Sequence, residues 1–375
     1  MRIGIAKEVA AYETRVAATP ETVKKLVSGG HSVVVQSDAG RLSAIPDQHY
    51  IDAGATVVAT AAEAFDADIV LKVRAPEAVE IPQIKSGALV LGLFHIYTNT
   101  LLPELAAHQL SCFAMELTPR TTRAQSMDVL SSQANIGGYK AVLLASQYYP
   151  RFFPMLMTAA GTVKPARVLI MGAGVAGLQA IATAKRLGAV VEAFDVRPVA
   201  KEQVESLGAK FVEVPLTDEE KKSAETAGGY AREMSEDYKR RQAELVDKHA
   251  RNADIIITTA LIPGRPAPVL IQSETVGKMK AGSVIIDMAV EQGGNCPLSR
   301  LNEVYTTDNG VTLVGIANLP GLVAADASAL YARNLLTFLG LLLDKEGKIV
   351  LNREDDIIAA TLVTHGGEVL FKRPN

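Results

Sequence analysis

The chain has 375 residues, 48% of them hydrophobic, with a net charge of −3 and a pI of about 6.1. This composition excludes a disordered chain, leaves room for two domains with sizeable cores and offers no electrostatic case for binding nucleic acid. The two cysteines, Cys112 and Cys296, lack CxxC spacing, and no apolar run reaches the roughly 18 residues that cross a bilayer, so a soluble, cytoplasmic protein is expected.

In chain order, residues 2–8 (RIGIAKE) read as a strand rather than a signal peptide. A helix is expected from Pro20, with Thr19 as its N-cap and Gly29–Gly30 as its stop. Strands follow at Ser32–Gln36, Asp68–Val73, Ala88–Phe94 and Ser111–Leu117. Short helical stretches separate them, the alternation of a parallel α/β domain. From Glu116 to Tyr149 the pattern changes. After a proline turn, Met127, Leu130, Ala134, Ile136, Ala141 and Leu144 mark a long helix. Gly137–Gly138 inside it costs about 1 kcal/mol each relative to alanine, which is tolerated where something packs or binds closely.

The most informative stretch is Ala166–Asp195, ARVLIMGAGVAGLQAIATAKRLGAVVEAFD. An apolar strand, Val168–Met171, leads into Gly172, Gly174 and Gly177 in G-x-G-x-x-G spacing, then a helical pattern, a second apolar run and an acid. The first glycine permits the tight turn, the second lets backbone approach a pyrophosphate, and the third lets helix pack against strand. Asp195 lies 23 positions after Gly172, close to the offset of about 20 at which an acid accepts the ribose hydroxyls. The plainer alternative is a nucleotide-free βαβ crossover. Asp195 favours NAD over NADP because a carboxylate repels a 2′-phosphate. Arg197, two positions on, either pairs a phosphate or lies along the adenine.

Further strands are expected at Lys210–Val214, Asp254–Ala260, Ser283–Ala289 and Thr312–Ile316. A long helix after Asn318 then returns to the first domain, and a tail strand pair, Lys348–Leu351 with Glu368–Phe371, closes around Gly366–Gly367. The charge-rich segment 216–252 exceeds a compact crossover. It reads either as a Gly-hinged flap with Tyr230 at its tip or as a solvated helix pair. The expected fold is α/β: two Rossmann-like, doubly wound parallel-sheet domains joined by long helices, with an interdomain cleft. Residues 1–130 plus 320–375 form an N-terminal, catalytic-like domain and 131–319 an NAD(H)-binding domain. No second glycine fingerprint and no metal-ligand cluster is found.

Several words are more particular than a Rossmann signature: RVAATPE (15–21), PRTTRAQSMDVLSSQ (119–133), KEQVESLG (201–208), AETAGGYA (224–231), TTALIPGRPAPVLI (258–271) and DMAVEQGGNCPLS (287–299). With these the chain closely resembles, over nearly its whole length, the NAD(H)-binding component of proton-translocating nicotinamide nucleotide transhydrogenase, a family related to alanine dehydrogenase. The resemblance implies a homodimer that binds NAD(H) and exchanges a hydride with NADP(H) on a partner subunit. Membrane-spanning subunits couple that exchange to proton movement and hold this chain at the inner membrane. It also implies residue roles. Arg120, Gln125, Asp128 and Ser131 match the loop that holds the nicotinamide ribose and carboxamide, and Thr121, Thr122, Arg123, Ser126 and Met127 complete that loop. Gly172, Ala173, Gly174, Val175 and Gly177 match the pyrophosphate turn. Asp195, Val196 and Arg197 match the adenosine end. Gly229, Gln242 and Leu261 match further cofactor contacts, and Tyr230 the mobile-loop tyrosine. The plainer reading of the 119–133 loop is helix capping by Ser126 and Asp128 beside a solvated arginine.

Two rival functions remain open. Alanine dehydrogenases hold their amino acid with an arginine, a lysine, a histidine and an aspartate, and here Arg15, Lys72 and His95 lie at matching positions. Glu291 replaces the aspartate, however, and the surroundings of His95 (GLFHIYTN) depart from that branch. A non-catalytic NAD(H) sensor is the third reading.

Overall fold

The computed structural model describes residues 1–215, 236–344 and 346–373. Its main elements begin with β1 (Arg2–Ile5), α1 (Pro20–Ser28), β2 (Ser32–Gln36), β3 (Thr56–Val58), β4 (Ile69–Arg74), β5 (Leu89–Leu93), β6 (Ser111–Ala114) and α2 (Val129–Tyr148). A ribbon of β7 (Leu156–Thr158) and β8 (Gly161–Val163) leads to β9 (Arg167–Met171), α3 (Val175–Arg186), β10 (Val190–Phe194) and β11 (Lys210–Phe211). Then come α4 (Glu236–Asn252), β12 (Ile255–Thr258), β13 (Val284–Asp287), β14 (Val304–Thr306) and β15 (Thr312–Val314). α5 (Ala324–Leu342), α6 (Asp356–Thr361), β16 (Leu362–His365) and β17 (Glu368–Val369) follow. The chain divides into two compact units, Met1–Ile136 with Pro320–Asn375, and Gly137–Leu319; the division falls inside α2. Among the described residues no helix is long and apolar enough to cross a membrane.

In the first unit the described strands form one sheet in the order β17-β16-β6-β5-β4-β1-β2-β3. It is parallel from β6 to β3, with β16 and β17 antiparallel at one edge. The order reverses between β1 and β4, the switch point of a doubly wound sheet. Ile69 and Leu71 enter the core on one face and Val70 that on the other, so these strands are buried on both sides. α1 starts as expected: Thr19 is extended and its N–H donates to Thr22 Oγ1 at 3.0 Å. α5 packs Tyr331, Leu335 and Phe338 into one core, with Phe338 edge-on to Phe113 at 5.4 Å between centroids.

In the second unit the order is β11-β10-β9-β12-β13-β15-β14, parallel except for β14. Here the reversal falls between β9 and β12. Val168 and Ile170 face one core, Leu169 and Met171 the other. The second half of α2 packs Ala141, Val142 and Ala145 into the same core as Ala180 and Ile181 of α3. Gly138 explains the glycine pair in the sequence, because a Cβ there would fall inside the van der Waals shell of the Ala176 carbonyl oxygen.

Three expectations change. The partner of β17 is β16, not Lys348–Leu351, which contributes only an isolated bridge between Leu343 and Ile349. Gly366 and Gly367 have φ of +59° and +82°, the signature of a two-residue hairpin turn, and such a turn pairs only the strands that flank it directly. α5 lies wholly in the first unit, so only α2 spans the division. In segment 216–252, the latter part is the packed helix α4, with Val246 and Ala250 buried. Gly229 and Tyr230 lie outside the described residues.

Two glycines test the packing. Gly138→Ala forces α2 off Ala176 and is expected to cost about 1–3 kcal/mol. Gly340→Ala, in α5 with no neighbour within 4 Å, is expected to stabilise by about 0.5–1 kcal/mol. Denaturant unfolding of both variants checks the opposite signs; equal effects would contradict the close approach at Gly138.

Candidate functional site

In the second unit the glycine turn sits at the carboxyl end of β9, beside the switch point. Gly172 has φ +102°, and a Cβ on it would collide with Thr259 Oγ1. A Cβ on Gly177 would collide with the Gly172 carbonyl oxygen, so α3 can pack this closely only on glycine. A Cβ on Gly174 would meet nothing within 4 Å. Gly174 is the N-cap of α3, and no side chain caps the helix. The first N–H groups of α3 therefore lack intrahelical partners and lie at the positive end of the helix dipole. Val175 is exposed, whereas Ala173 is buried and takes part through its backbone.

Asp195 follows β10 on the other side of that turn. Its Oδ2 accepts the Ala173 N–H at 2.7 Å, and Arg197 donates three bonds to the carboxylate: its N–H at 2.8 Å, Nε at 3.0 Å and Nη2 at 2.9 Å. Burial pushes the Asp195 carboxyl up, but the hydrogen bonds from Arg197 and Ala173 bring it below its ordinary value, so it stays ionised. These four donors fill the carboxylate, and a ribose diol would have to take the place of the guanidinium. In this structure Arg197 neutralises Asp195. Val196 is 74% exposed and Leu261 48%, and Gln242 is half-buried on α4. The uncapped helix, the open turn and the adjacent acid fit the pyrophosphate and adenosine ribose of a dinucleotide.

The Arg120–Ser131 loop belongs to the first unit. Thr122–Met127 form a 3-10 turn that runs into α2. Asp128 caps α2: its Oδ1 accepts the Ser131 N–H at 2.9 Å and its Oδ2 the Ser131 hydroxyl at 2.6 Å. Arg123 is committed elsewhere, donating to Asp355 at 2.6 and 2.9 Å and to Asp356. Met127 is buried, while Thr121, Thr122 and Ser126 are exposed. Arg120 and Gln125 are exposed and their side chains make no hydrogen bond among the described residues, which leaves both available to a ligand. Asn334 of α5, unnoticed in the sequence, holds the loop in place. Its Nδ2 donates to the Ser126 carbonyl at 2.8 Å, and its Oδ1 accepts from Ser132 Oγ at 2.7 Å. The signal was there: Asn334 is the one amide side chain of α5.

The switch point of the first unit holds a buried charge network. Arg15, 4% exposed, donates to both oxygens of Glu13, at 2.7 Å each, and to Gln133 Oε1 at 2.8 Å. Arg74 Nε also donates to Glu13, at 2.8 Å. Lys72 is fully buried with Glu80 at 2.7 Å and Glu8 at 3.5 Å. Glu8 in turn accepts the N–H groups of Val73 and Arg74. Burial pushes Glu8 up despite Lys72. Burial also pushes Glu13 up, but the hydrogen bonds and charge of Arg15 and the charge of Arg74 outweigh it and bring Glu13 down to about 2. His95 Nε2 is hydrogen-bonded to the Arg74 guanidinium. His95 itself is held at φ +48° because Glu116 accepts the N–H groups of Phe94 and Ile96 on either side of it.

Sequence comparison places this arrangement. The profile "Alanine dehydrogenase/PNT, N-terminal domain" matches residues 4–137 and "Alanine dehydrogenase/PNT, C-terminal domain" residues 141–372. The chain belongs to the alanine dehydrogenase/PNT family. It is 53% identical to an NAD(P) transhydrogenase subunit alpha chain of Rhodospirillum rubrum, over 99% of this chain and 98% of that one. The crystal structure of transhydrogenase from Sinorhizobium meliloti is 51% identical and superposes with a TM-score of 0.90 over 99% of this chain and 100% of that one. An L-alanine dehydrogenase structure is 27% identical, with a TM-score of 0.81 over 99% and 97% of the two chains.

The acid–base behaviour of Glu13 is testable. A carboxyl lowered to about 2 in the folded state, from 4.5, stabilises the fold above its unfolded pKa and loses that contribution as pH falls through the window between them. Glu13→Gln leaves Arg15 buried without its counter-charge and is expected to cost about 3–5 kcal/mol at pH 7. The gap to wild type should narrow by about 1.4 kcal/mol per pH unit below 4.5. Denaturant unfolding as a function of pH reads it directly; a pH-independent gap would contradict the pairing.

Proposed function

We propose that this chain is the NAD(H)-binding component of a proton-translocating transhydrogenase. It exchanges a hydride with NADP(H) held on a partner subunit, works as a homodimer and docks on membrane-spanning subunits. The observation that supports this reading over amino-acid oxidation is the internal neutralisation of the first unit's cations. Arg15 carries Glu13, and Lys72 carries Glu8 and Glu80. A substrate carboxylate would have to displace one of these buried partners, which leaves an uncompensated buried charge and is strongly unfavourable. The end-to-end identity with the Rhodospirillum rubrum transhydrogenase chain supports the same choice.

The nicotinamide supplies the hydride chemistry, and the protein groups bind and orient. Transfer between two nicotinamide rings moves no proton, so no general acid or base is needed; what matters is holding the ring at a near-attack distance of roughly 3–3.5 Å. In this reading Asp128, fixed by Ser131, and the unpartnered Arg120 and Gln125 hold the nicotinamide ribose and carboxamide. The α3 N-terminus takes the pyrophosphate, and Asp195 takes the adenosine ribose once Arg197 swings aside.

The test is NADH binding and turnover by the purified chain. Binding is expected without NADH oxidation when pyruvate and ammonium are added. Asp195→Ala should weaken NADH about 10- to 100-fold, the loss of charge-assisted hydrogen bonds to the ribose. Robust turnover with pyruvate and ammonium would instead establish an alanine dehydrogenase.

A further inference from the structure

The segment DMAVEQGGNCPLS has no role in the reading above, yet it forms a densely bonded polar cluster in the second unit. Asp287, at the end of β13, is 1% exposed. Its carboxylate accepts the hydroxyls of Thr258 at 3.2 Å and Ser299 at 2.6 Å. It also accepts the N–H groups of Ala289 at 3.0 Å and of Asn295 and Cys296 at 3.1 Å. Gly293 and Gly294, with φ of +93° and +80°, turn the loop back onto it, and a Cβ on Gly294 would stand only 2.7 Å from Asp287 Oδ2. The product of this folding is the placement of one amide. Asn295 is completely buried. Its Oδ1 accepts the Ala260 N–H at 3.1 Å, and its Nδ2 donates to the carbonyls of Ala260 and Pro268, both at 2.8 Å. The neighbouring Thr259 donates its hydroxyl to the Gly172 carbonyl at 3.0 Å. A continuous hydrogen-bonded path thus runs from Asp287 through Asn295 and the end of β12 to the glycine turn.

We propose that Asn295, seated by Asp287, is a positioning residue for the nicotinamide half of the bound dinucleotide. The proposal rests on the dinucleotide reading of the second unit. β10 and β12 flank β9 on opposite sides. A dinucleotide laid across that switch point has its adenosine half over β10 and Asp195, and its nicotinamide half over β12. The 260–268 loop that follows β12 carries the exposed Leu261 and Ile262 and contains no helix or strand. Asn295 bonds its two ends, Ala260 and Pro268, with one side chain. Without that amide three part-buried backbone groups lose their partners, and the loop is left with its backbone ties, the Ala267 N–H to the Gln292 carbonyl and the Leu270 and Ile271 N–H groups to the Asn295 carbonyl. The adenosine half, which relies on Asp195 and the α3 N-terminus, is untouched.

The experiment compares NADH and 5′-AMP binding by calorimetry for the full chain and for Asn295→Ala and Ser299→Ala. Asn295→Ala should bind NADH about 10- to 100-fold more weakly while 5′-AMP stays within about twofold of wild type. Ser299→Ala, which removes one of the bonds seating Asp287 and leaves the amide in place, should weaken NADH by about two- to fivefold with 5′-AMP unchanged. It carries the test if the first variant does not fold. Parallel losses for both ligands would mean a merely structural role and overturn the proposal, as would wild-type NADH affinity in both variants. If wild type binds neither ligand, the dinucleotide reading itself falls and takes the proposal with it.

Discussion

The N-terminus of α3 is held by two backbone contacts that only glycine permits. On one side Gly177 lies against the Gly172 carbonyl, on the other Gly138 of α2 lies against the Ala176 carbonyl. Both contacts fall within the first turn of the helix, so its orphan N–H groups are fixed relative to β9 without any side-chain cap. A capped helix would satisfy these donors internally; this one leaves them for an anion. The same constraint explains why a helix of 20 residues carries a glycine at position 138. What α2 loses in helix propensity it recovers by backing the turn at close range. The loops after β10, β12 and β13 then converge on a turn whose position is already set.

The fold alone does not separate this chain from its alanine dehydrogenase relatives. The L-alanine dehydrogenase structure shares the architecture over nearly the whole chain. In the present chain the first unit's cations are consumed by its own carboxylates, in a buried network spanning the ends of β1 and β4. Such networks contribute little net stability, but breaking one partner is costly, and they fix conformation. Glu8 ties the end of β4, Glu13 ties Arg15 to Arg74, and Arg15 reaches Gln133 at the start of α2. This network and the Asn334 amide together place the Arg120–Ser131 loop. The loop's own side chains divide accordingly: Asp128 and Ser131 are locked together, Arg123 is bound to α6 and its cap, and Arg120 and Gln125 are exposed, with no side-chain hydrogen bond among the described residues.

Much of this was legible in the sequence because it rests on local rules. The glycine spacing, the acid after the second strand, the Thr19 cap and the Gly29–Gly30 stop each need only a few neighbouring residues. The Gly137–Gly138 pair announced a close approach, though not its partner. What escaped depends on contacts between residues far apart in the chain. The sequence could not say that Arg74 meets His95 or that Lys72 is buried with Glu8 and Glu80. Nor could it show that Arg197 folds back on Asp195. Asp287 and Asn295 read as an unusual word, but Thr258, Ala260 and Pro268, which they bond, lie 27 to 35 positions away. The tail pairing was misjudged because an apolar run at Lys348–Leu351 outweighed the stricter demand of a two-residue turn.

The most direct measurement follows label from [4-³H]NADH bound to this chain, mixed with a separately produced NADP(H)-binding transhydrogenase domain and NADP⁺. Direct hydride exchange predicts tritium in NADPH, at a rate that depends on the partner domain, and none released to water. Tritium in water, or NADH oxidation at the same rate without the partner, would contradict it.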